Sequence, residues 1–173
     1  MSMELSEQEV LRRKSLAALR ELGIEPYPAE MFDVTATAAE ISENLTEESK
    51  EKYASVRIAG RIMSRRIMGS ASFFELQDHT GRIQVYIRRD DICPEGDPTL
   101  YNTVFKKLLD IGDFVGVEGF AFITNSGEKS VHCQKFTVIS PNTRIKPNTF
   151  NNFCSIQVMH FRISIKFVEI TYP

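Results

Sequence analysis

Cysteine is scarce in this sequence, which contains only Cys93, Cys133 and Cys154, far apart and without a Cys-x-x-Cys pair. A disulfide framework or a structural zinc site would need more cysteines at closer spacing. We therefore expect neither, and we predict that the three cysteines are buried free thiols.

Long apolar segments are missing as well. No run of about eighteen apolar residues is present, which excludes a membrane-spanning helix. The first residues, 1–9, are acidic where a secretory signal peptide would be basic and then apolar. These two absences predict a cytoplasmic protein that has no membrane partner.

Motifs for catalysis are also absent. No glycine-rich segment resembles a P-loop, and His79, His132 and His160 lack the spacing of a His-x-x-Glu-His-like metal motif. We expect no catalytic residue, no metal ligand and no cofactor site in this chain.

What the sequence does contain is a segment, residues 56–89, in which apolar side chains recur at every second position around the turn signal at 79–81. This alternation predicts consecutive antiparallel strands with one buried face. The residues predicted to point inward are Phe74, Leu76, Ile83, Val85 and Ile87. The period of two then places the following residues outward: Phe73, Glu75, Gln77, Arg82, Gln84 and Tyr86.

The charge of this segment differs from that of the whole chain. Seven arginines against two acidic residues give residues 56–89 a net charge of +5, inside a chain of net charge −2. An outward aromatic ring that stacks on a base, amides that recognise a base edge and arginines that follow phosphates suit single-stranded nucleic acid. Charge and alternation alone leave an ordinary solvated sheet equally open.

The order of the predicted elements indicates the fold. Strands are predicted near residues 55–66, 72–77, 81–88, 113–124 and 130–139, with a helix from Asp97 to Gly112 between the third strand and the fourth. The predicted buried stripe of that helix is Leu100, Val104 and Leu108, with Phe105 and Leu109 beside it. Gly116 and Gly119 predict a bend or bulge in the fourth strand. The fold predicted from this order is mainly β, a five-stranded Greek-key barrel of the oligonucleotide-binding (OB) type with a helical N-terminal extension.

We divide the chain into a helical segment at 1–54, the barrel at 55–140 and a linker-like tail of unknown structure at 141–173. A helix is predicted at 7–22, with an apolar stripe of Leu11, Ala18 and Leu22. Its basic triplet at 12–14 could contact RNA phosphates, although a solvated helix face is the preferred interpretation. Shorter helices are predicted at 37–45 and 46–53. Because the sequence pattern of the barrel is lost after about Ser140, we hypothesise a truncated or shifted reading frame there.

Several short stretches resemble the anticodon-binding domain of class II lysyl-tRNA synthetases of the bacterial type. They are Arg65-Arg66-Ile67-Met68-Gly69, Ser70-Ala71-Ser72-Phe73, Leu76-Gln77-Asp78, Gly81-Arg82-Ile83-Gln84-Val85, Asp90-Asp91 and Gly112-Asp113. The resemblance covers Leu5 to about Ile139. It implies recognition of the lysine tRNA anticodon loop, at its middle uridine, by one part of an enzyme that attaches lysine to tRNA. The catalytic domain of such an enzyme, with its ATP and Mg²⁺ sites, would be missing here, so this chain alone is expected to be no enzyme. A homodimer is usual for the family.

The resemblance also implies roles for particular residues. Phe73 would stack on the middle uridine, Gln84 would recognise its edge, Arg66 would stand at the end of the first strand, and Glu128 would lie in the last hairpin. Glu128 would either accept a base N–H or orient Arg66.

Four further residues are predicted to support the same surface: Arg65, Arg61, Gln77 and Tyr86. Strict alternation from Ile58 and Ile62 would place Arg65 rather than Arg66 on the outward face with Arg61. A bend or bulge in the first strand would resolve this conflict in favour of Arg66.

Two other functions remain open on the sequence. A general single-strand-binding OB domain would use the same face without preference for base identity. A protein-interaction module would instead use Phe73 and Tyr86 as a protein interface.

Overall fold

The computed structural model describes residues 6–93 and 96–141. The helical segments that precede or interrupt the barrel include α1 (Glu7–Glu21), α2 (Ala38–Asn44), a 3-10 helix (Lys50–Tyr53) and the single turn α3 (Arg89–Ile92). A π-helix, Leu100–Leu108, follows α3. The strands are β1 (Val56–Met68), β2 (Ala71–Gln77), β3 (Arg82–Arg88), β4 (Phe114–Ile123) and β5 (Lys129–Ser140). The predicted tail at 141–173 and the reading-frame hypothesis fall, apart from Pro141, on residues that lie outside the described part.

The five strands form a closed barrel in the order β1-β2-β3-β5-β4. The β3–β5 pair is parallel, and the other pairs are antiparallel. Strands β2 and β3 alternate strictly between buried and partly exposed residues, as predicted, so that Phe74, Leu76 and Val85 enter the core. The predicted fold class, a five-stranded OB barrel with helix between β3 and β4, is confirmed.

A break in register occurs in β4 at the predicted place, between Glu118 and Gly119 opposite β5. Gly119 has no room for a side chain there, because a Cβ atom would overlap the carbonyl oxygen of His132. Glycine is therefore required by the close approach of the two backbones.

The segment between β3 and β4 differs in detail from its prediction. The amide of Leu109 donates to the carbonyl of Val104, an i→i+5 bond that marks the π-helix. Its fully buried face carries Tyr101 and Phe105 besides Val104, while Leu100 and Leu108 are only partly buried. Leu100 and Leu108 still pack against the core, so the predicted stripe lies on the inner face, but the π-helix buries Tyr101 and Phe105 more deeply.

Helix α1 begins with a capping box, in which Ser6 and Glu9 bond each other's backbone. Its predicted apolar stripe was wrong, because Leu11 is 60% exposed and Leu22 is 42% exposed. The helix instead turns Leu19 and Arg12 toward the barrel, and both are buried. Arg12 is bonded to Asp113 at 3.0 Å, so it is not available to RNA phosphates.

The turn between β2 and β3 is tied to α2. One carboxylate oxygen of Asp78 accepts hydrogen bonds from the amides of Thr80 and Gly81, and the other accepts from the amide of Ala38 at 2.7 Å. Asp78 therefore shapes the turn and caps the helix at once, which holds α2 against the barrel.

Candidate nucleic-acid interface

The outward face of β2 and β3 carries the predicted candidates. Phe73 pairs with Tyr86 across the two strands, and Glu75 pairs with Gln84. All four side chains are partly exposed, whereas their sequence neighbours Phe74 and Val85 are buried. An aromatic ring and an amide are thus displayed side by side on the outer face of β2 and β3.

A bulge in β1 decides which arginine joins this face. The register runs from Ile62 opposite Leu76 to Ser64 opposite Glu75, so one residue of β1 is extra. After the bulge, Arg66 stands opposite Phe73 and Arg65 stands opposite the inward-pointing Phe74. The predicted bulge and the choice of Arg66 are both consistent with this register.

Arg65 has a structural contact instead. Its guanidinium donates to the carbonyl of Phe105 at 2.7 Å and lies 3.8 Å from Asp110. The carbonyl belongs to the last turn of the π-helix, where backbone acceptors lack helical partners. We therefore correct the prediction for Arg65: it borders the interface, but its charge is directed at the π-helix.

Most of the local positive charge is compensated inside the protein. Six of the seven arginines of residues 56–89 have partners, which are acidic side chains, aromatic rings or carbonyls: Arg57, Arg61, Arg65, Arg82, Arg88 and Arg89. Within residues 6–93 and 96–141, no hydrogen bond or ion pair engages the exposed guanidinium of Arg66. The net charge of +5 therefore overstates what is available to a ligand, and Arg66 is the one of the seven that has no such partner in the described ranges.

A groove of about 740 Å³ brings the main candidates together. Phe73, Gln84 and Arg66 line it from the strands, and Glu128 lines it from the loop between β4 and β5. The remaining lining residues are Ser64, Arg65, Phe74, Glu75, Arg82, Ile83, Thr124, Asn125 and Ser126. The strand 2–3 face and the loop between strands 4 and 5 are the parts of OB folds that bind oligonucleotides.

The loop at 124–128 is held in shape from within. The side-chain oxygen of Thr124 accepts the amide of Glu128 at 2.9 Å, and the amide of Thr124 donates to the carbonyl of Glu128. The Glu128 side chain is exposed, and no ion pair joins it to Arg66 within the described ranges. An acceptor and a cation thus border the groove without neutralising each other.

Gln84 is oriented by a residue that sequence reasoning missed. The hydroxyl of Ser130 donates to Oε1 of Gln84 at 2.9 Å, and Ser130 is fully buried. Because the amide oxygen accepts this bond, the amide nitrogen is the group left to donate toward the groove. No signal in the sequence marks Ser130, since its proximity to Gln84 arises from the parallel pairing of β3 with β5.

Three predicted residues lie outside the groove. Arg61 donates to the carbonyl of Gly112 and stacks on Phe114, and Gln77 accepts a bond from Arg82 at 3.0 Å. Tyr86 does not line the groove either, although its ring centroid is 5.0 Å from that of Phe73. The structure therefore places Arg61 and Gln77 away from the other candidates and Tyr86 beside them.

No group of three or more His, Cys, Asp or Glu side chains in the described ranges is arranged to hold a metal ion. None of the helices found there has the length and apolar character to cross a membrane. Of the cysteines in these ranges, Cys133 is buried as predicted, while Cys93 is only partly buried.

Comparison with known families agrees with this geometry. Residues 56–139 match the family model described as OB-fold nucleic acid binding domain. The barrel, its groove and this match together define an OB-fold nucleic-acid-binding domain. The domain lies within a chain that also has clear relatives over most of its length.

Those relatives are lysine–tRNA ligases. The chain is 58% identical over 145 residues to the enzyme of Porphyromonas gingivalis strain W83, covering 84% of this chain and 25% of the relative. It is 51% identical over 158 residues to that of Christiangramia forsetii, covering 87% of this chain and 27% of the relative. For Streptococcus suis the identity is 39% over 161 residues, covering 91% and 31% respectively. Over most of its length the chain is similar to lysine–tRNA ligases, and the matched part corresponds to the anticodon-binding OB domain of these enzymes.

The extent of the match limits what it transfers. The chain spans about a quarter of the length of the first of these relatives. The matched part is their anticodon-binding region and not their catalytic region, in agreement with the expectation from the sequence.

Proposed function

We propose that this chain recognises the anticodon loop of lysine tRNA by holding the middle uridine in the groove between Phe73, Gln84, Arg66 and Glu128. The observation that supports it most directly is that these four residues, scattered over β1, β2, β3 and a loop, border one groove. A partly exposed ring, an oriented amide, a cation and a carboxylate are thereby available to one base.

The chemistry of the groove favours uracil. The amide nitrogen of Gln84 donates to O4 of uracil, and the carboxylate of Glu128 accepts the N3–H. Cytosine presents an amino group in place of O4 and an unprotonated N3, so both contacts would set like against like. The contact with Ser130 fixes the position of the Gln84 side chain beside the groove.

Phe73 and Arg66 supply affinity rather than discrimination. Stacking on a ring contributes roughly 1–3 kcal/mol per base and tolerates any base. The unpaired guanidinium of Arg66, one strand away from Phe73, can donate hydrogen bonds to a backbone phosphate of the same nucleotide. Binding should therefore weaken as salt rises.

The rest of the proposal concerns the whole enzyme. A chain of this family would position lysine tRNA while a catalytic region attaches lysine with ATP and Mg²⁺, which we assign to that region and not to these residues. We further propose that the enzyme acts in the cytoplasm and as a homodimer. The names of the relatives support the lysine specificity.

The test is fluorescence anisotropy of this chain with a labelled UUU anticodon stem-loop and with its middle-base U→C variant, at one moderate salt concentration. Phe73→Ala should weaken binding to both loops by about 5- to 150-fold. Gln84→Ala should mainly reduce the preference for U over C, by about two- to tenfold, the worth of one neutral hydrogen bond. Gln8→Ala, the same change at an exposed position of α1, should alter neither.

Two outcomes would refute the proposal. Equal affinity for oligo-dT and for the UUU loop would favour a general single-strand binder. Salt-insensitive self-association without RNA binding would favour a protein-interaction module.

A further inference from the structure

An aromatic surface continues from the groove across the barrel. We call Tyr86, His132, Phe120 and Phe122 the aromatic row. Tyr86 on β3 pairs with His132 on β5, which pairs with Phe120 on β4. Their ring centroids are 5.0 Å and 4.8 Å apart, and Phe122 lies 6.0 Å from His132.

The aromatic row starts at the proposed uridine site. Phe73 on β2 pairs with Tyr86, and Arg66 on β1 pairs with Phe73, so one rung of the barrel joins the cation, the stacking ring and the row. The Phe73 and Tyr86 centroids are 5.0 Å apart. A nucleotide strand that crosses the strands of the barrel with one base on Phe73 therefore meets the row on one side and Arg66 on the other.

The row is not needed by the core of the barrel. The residues that alternate with it along the strands, among them Val85, Val131 and Cys133, fill the interior. The row lies on the outside with its rings partly exposed, where a water-facing sheet normally carries polar side chains. On the next rung toward the loop, β2 and β3 carry the polar side chains of Glu75 and Gln84.

His132 is held in a fixed orientation. Its Nε2 lies 2.7 Å from a carboxylate oxygen of Asp91, and Arg88 lies 3.6 Å from the other oxygen of the same carboxylate. The imidazole ring is thus anchored at one edge, and it lies perpendicular to the ring of Tyr86 and tilted by 36° against that of Phe120. Aromatic side chains in series on an OB face are what stacks successive bases of a single strand.

We propose, on the basis of the proposed function, that the aromatic row is a second base-stacking position, which holds the base next to the middle uridine in the same loop. Any nucleobase can occupy it, because stacking requires only a π face. It contributes affinity for the loop and no discrimination at the middle base.

The test compares His132→Leu with His132→Phe in the full 173-residue chain. Both variants lose the bond to Asp91, but only the phenylalanine keeps a ring. We expect His132→Leu to weaken binding of the UUU stem-loop about fivefold or more, and His132→Phe to stay within about twofold of the wild type. The U-over-C preference at the middle position should be the same in all three proteins. The variant Phe122→Leu removes another ring of the aromatic row, and its thermal melt checks that it is folded.

Loops with an abasic site at the first or the third anticodon position identify the stacked base. The loss in His132→Leu should disappear with one of these two loops. Equal losses in the leucine and phenylalanine variants, or a loss that persists with both abasic loops, would overturn the proposal. Wild-type affinity in His132→Leu would also overturn this inference. If Phe73→Ala still weakens binding in that case, the proposed function remains intact. If Phe73→Ala also binds normally, both proposals are wrong. A change in self-association instead of RNA affinity would identify a protein interface and overturn this inference.

Discussion

Replacing Arg12 by methionine tests what attaches α1 to the barrel. The Arg12 guanidinium donates to both carboxylate oxygens of Asp113 at 3.0 Å and 3.2 Å, and to the carbonyl of Ile111 at 2.8 Å. Asp113 is 0% exposed and Arg12 is 6% exposed. Methionine keeps the apolar stem of the side chain but removes the guanidinium charge beside the buried Asp113 carboxylate.

The expected loss is large. Removing one partner of a buried ion pair costs about 3–5 kcal/mol, because the other charge remains desolvated. A small domain is stable by only about 5–15 kcal/mol, so this change removes a substantial share of the free energy of unfolding. The amide of Asp110 still donates to Asp113 at 2.8 Å, but a neutral donor does not replace the lost positive charge.

Urea denaturation followed by far-ultraviolet circular dichroism measures the loss. Arg13→Met is the matched control, because Arg13 is the exposed neighbour of Arg12 on the same helix, and it should change the stability by less than about 0.5 kcal/mol. A loss below about 1 kcal/mol in Arg12→Met would refute the reasoning, since a pair worth so little behaves like a surface ion pair. The double variant Arg12→Met/Asp113→Asn should be more stable than the sum of the two single losses predicts.

Replacing Ser130 by alanine removes the hydroxyl that holds Gln84. In the anisotropy titration the U-over-C preference should fall about two- to tenfold, with little change in the affinity that stacking on Phe73 contributes. An unchanged preference would contradict this role of Ser130. Burial raises the pKa of the Cys133 thiol above its ordinary value, so in mildly alkaline buffer the thiol stays protonated in the folded state and should resist a thiol reagent until denaturant is added. Peptide mapping measures this, and fast labelling of Cys133 in the native protein would disagree with the structure. Gly119→Ala should cost about 1–3 kcal/mol in urea denaturation because its Cβ meets the backbone of β5, whereas Gly81→Ala, which has open space, should be nearly neutral.

The strands of the barrel could be predicted because a sheet with one buried face imposes a period of two on the sequence. That period placed Phe73 and Gln84 outward and Phe74 and Val85 inward, as the structure has them. The capping box of α1 is equally local, since Ser6 and Glu9 satisfy each other's backbone within one turn. The face that α1 turns to the barrel could not be predicted, because its attachment depends on Asp113, about a hundred residues away.

Sequence alone was therefore sufficient for those features of this protein that depend on neighbouring residues: the strand periodicity, the turns, the order of the elements and the family motifs that accompany them. Tertiary structure decided which charges remain available and which side chains meet. Seven arginines look alike in the sequence, yet contacts from other elements engage Arg61, Arg65 and Arg82, among others, and leave Arg66. Likewise, only the closure of the barrel brings Ser130 to Gln84 and His132 to Tyr86, because the parallel pairing of β3 with β5 joins segments separated by more than forty residues.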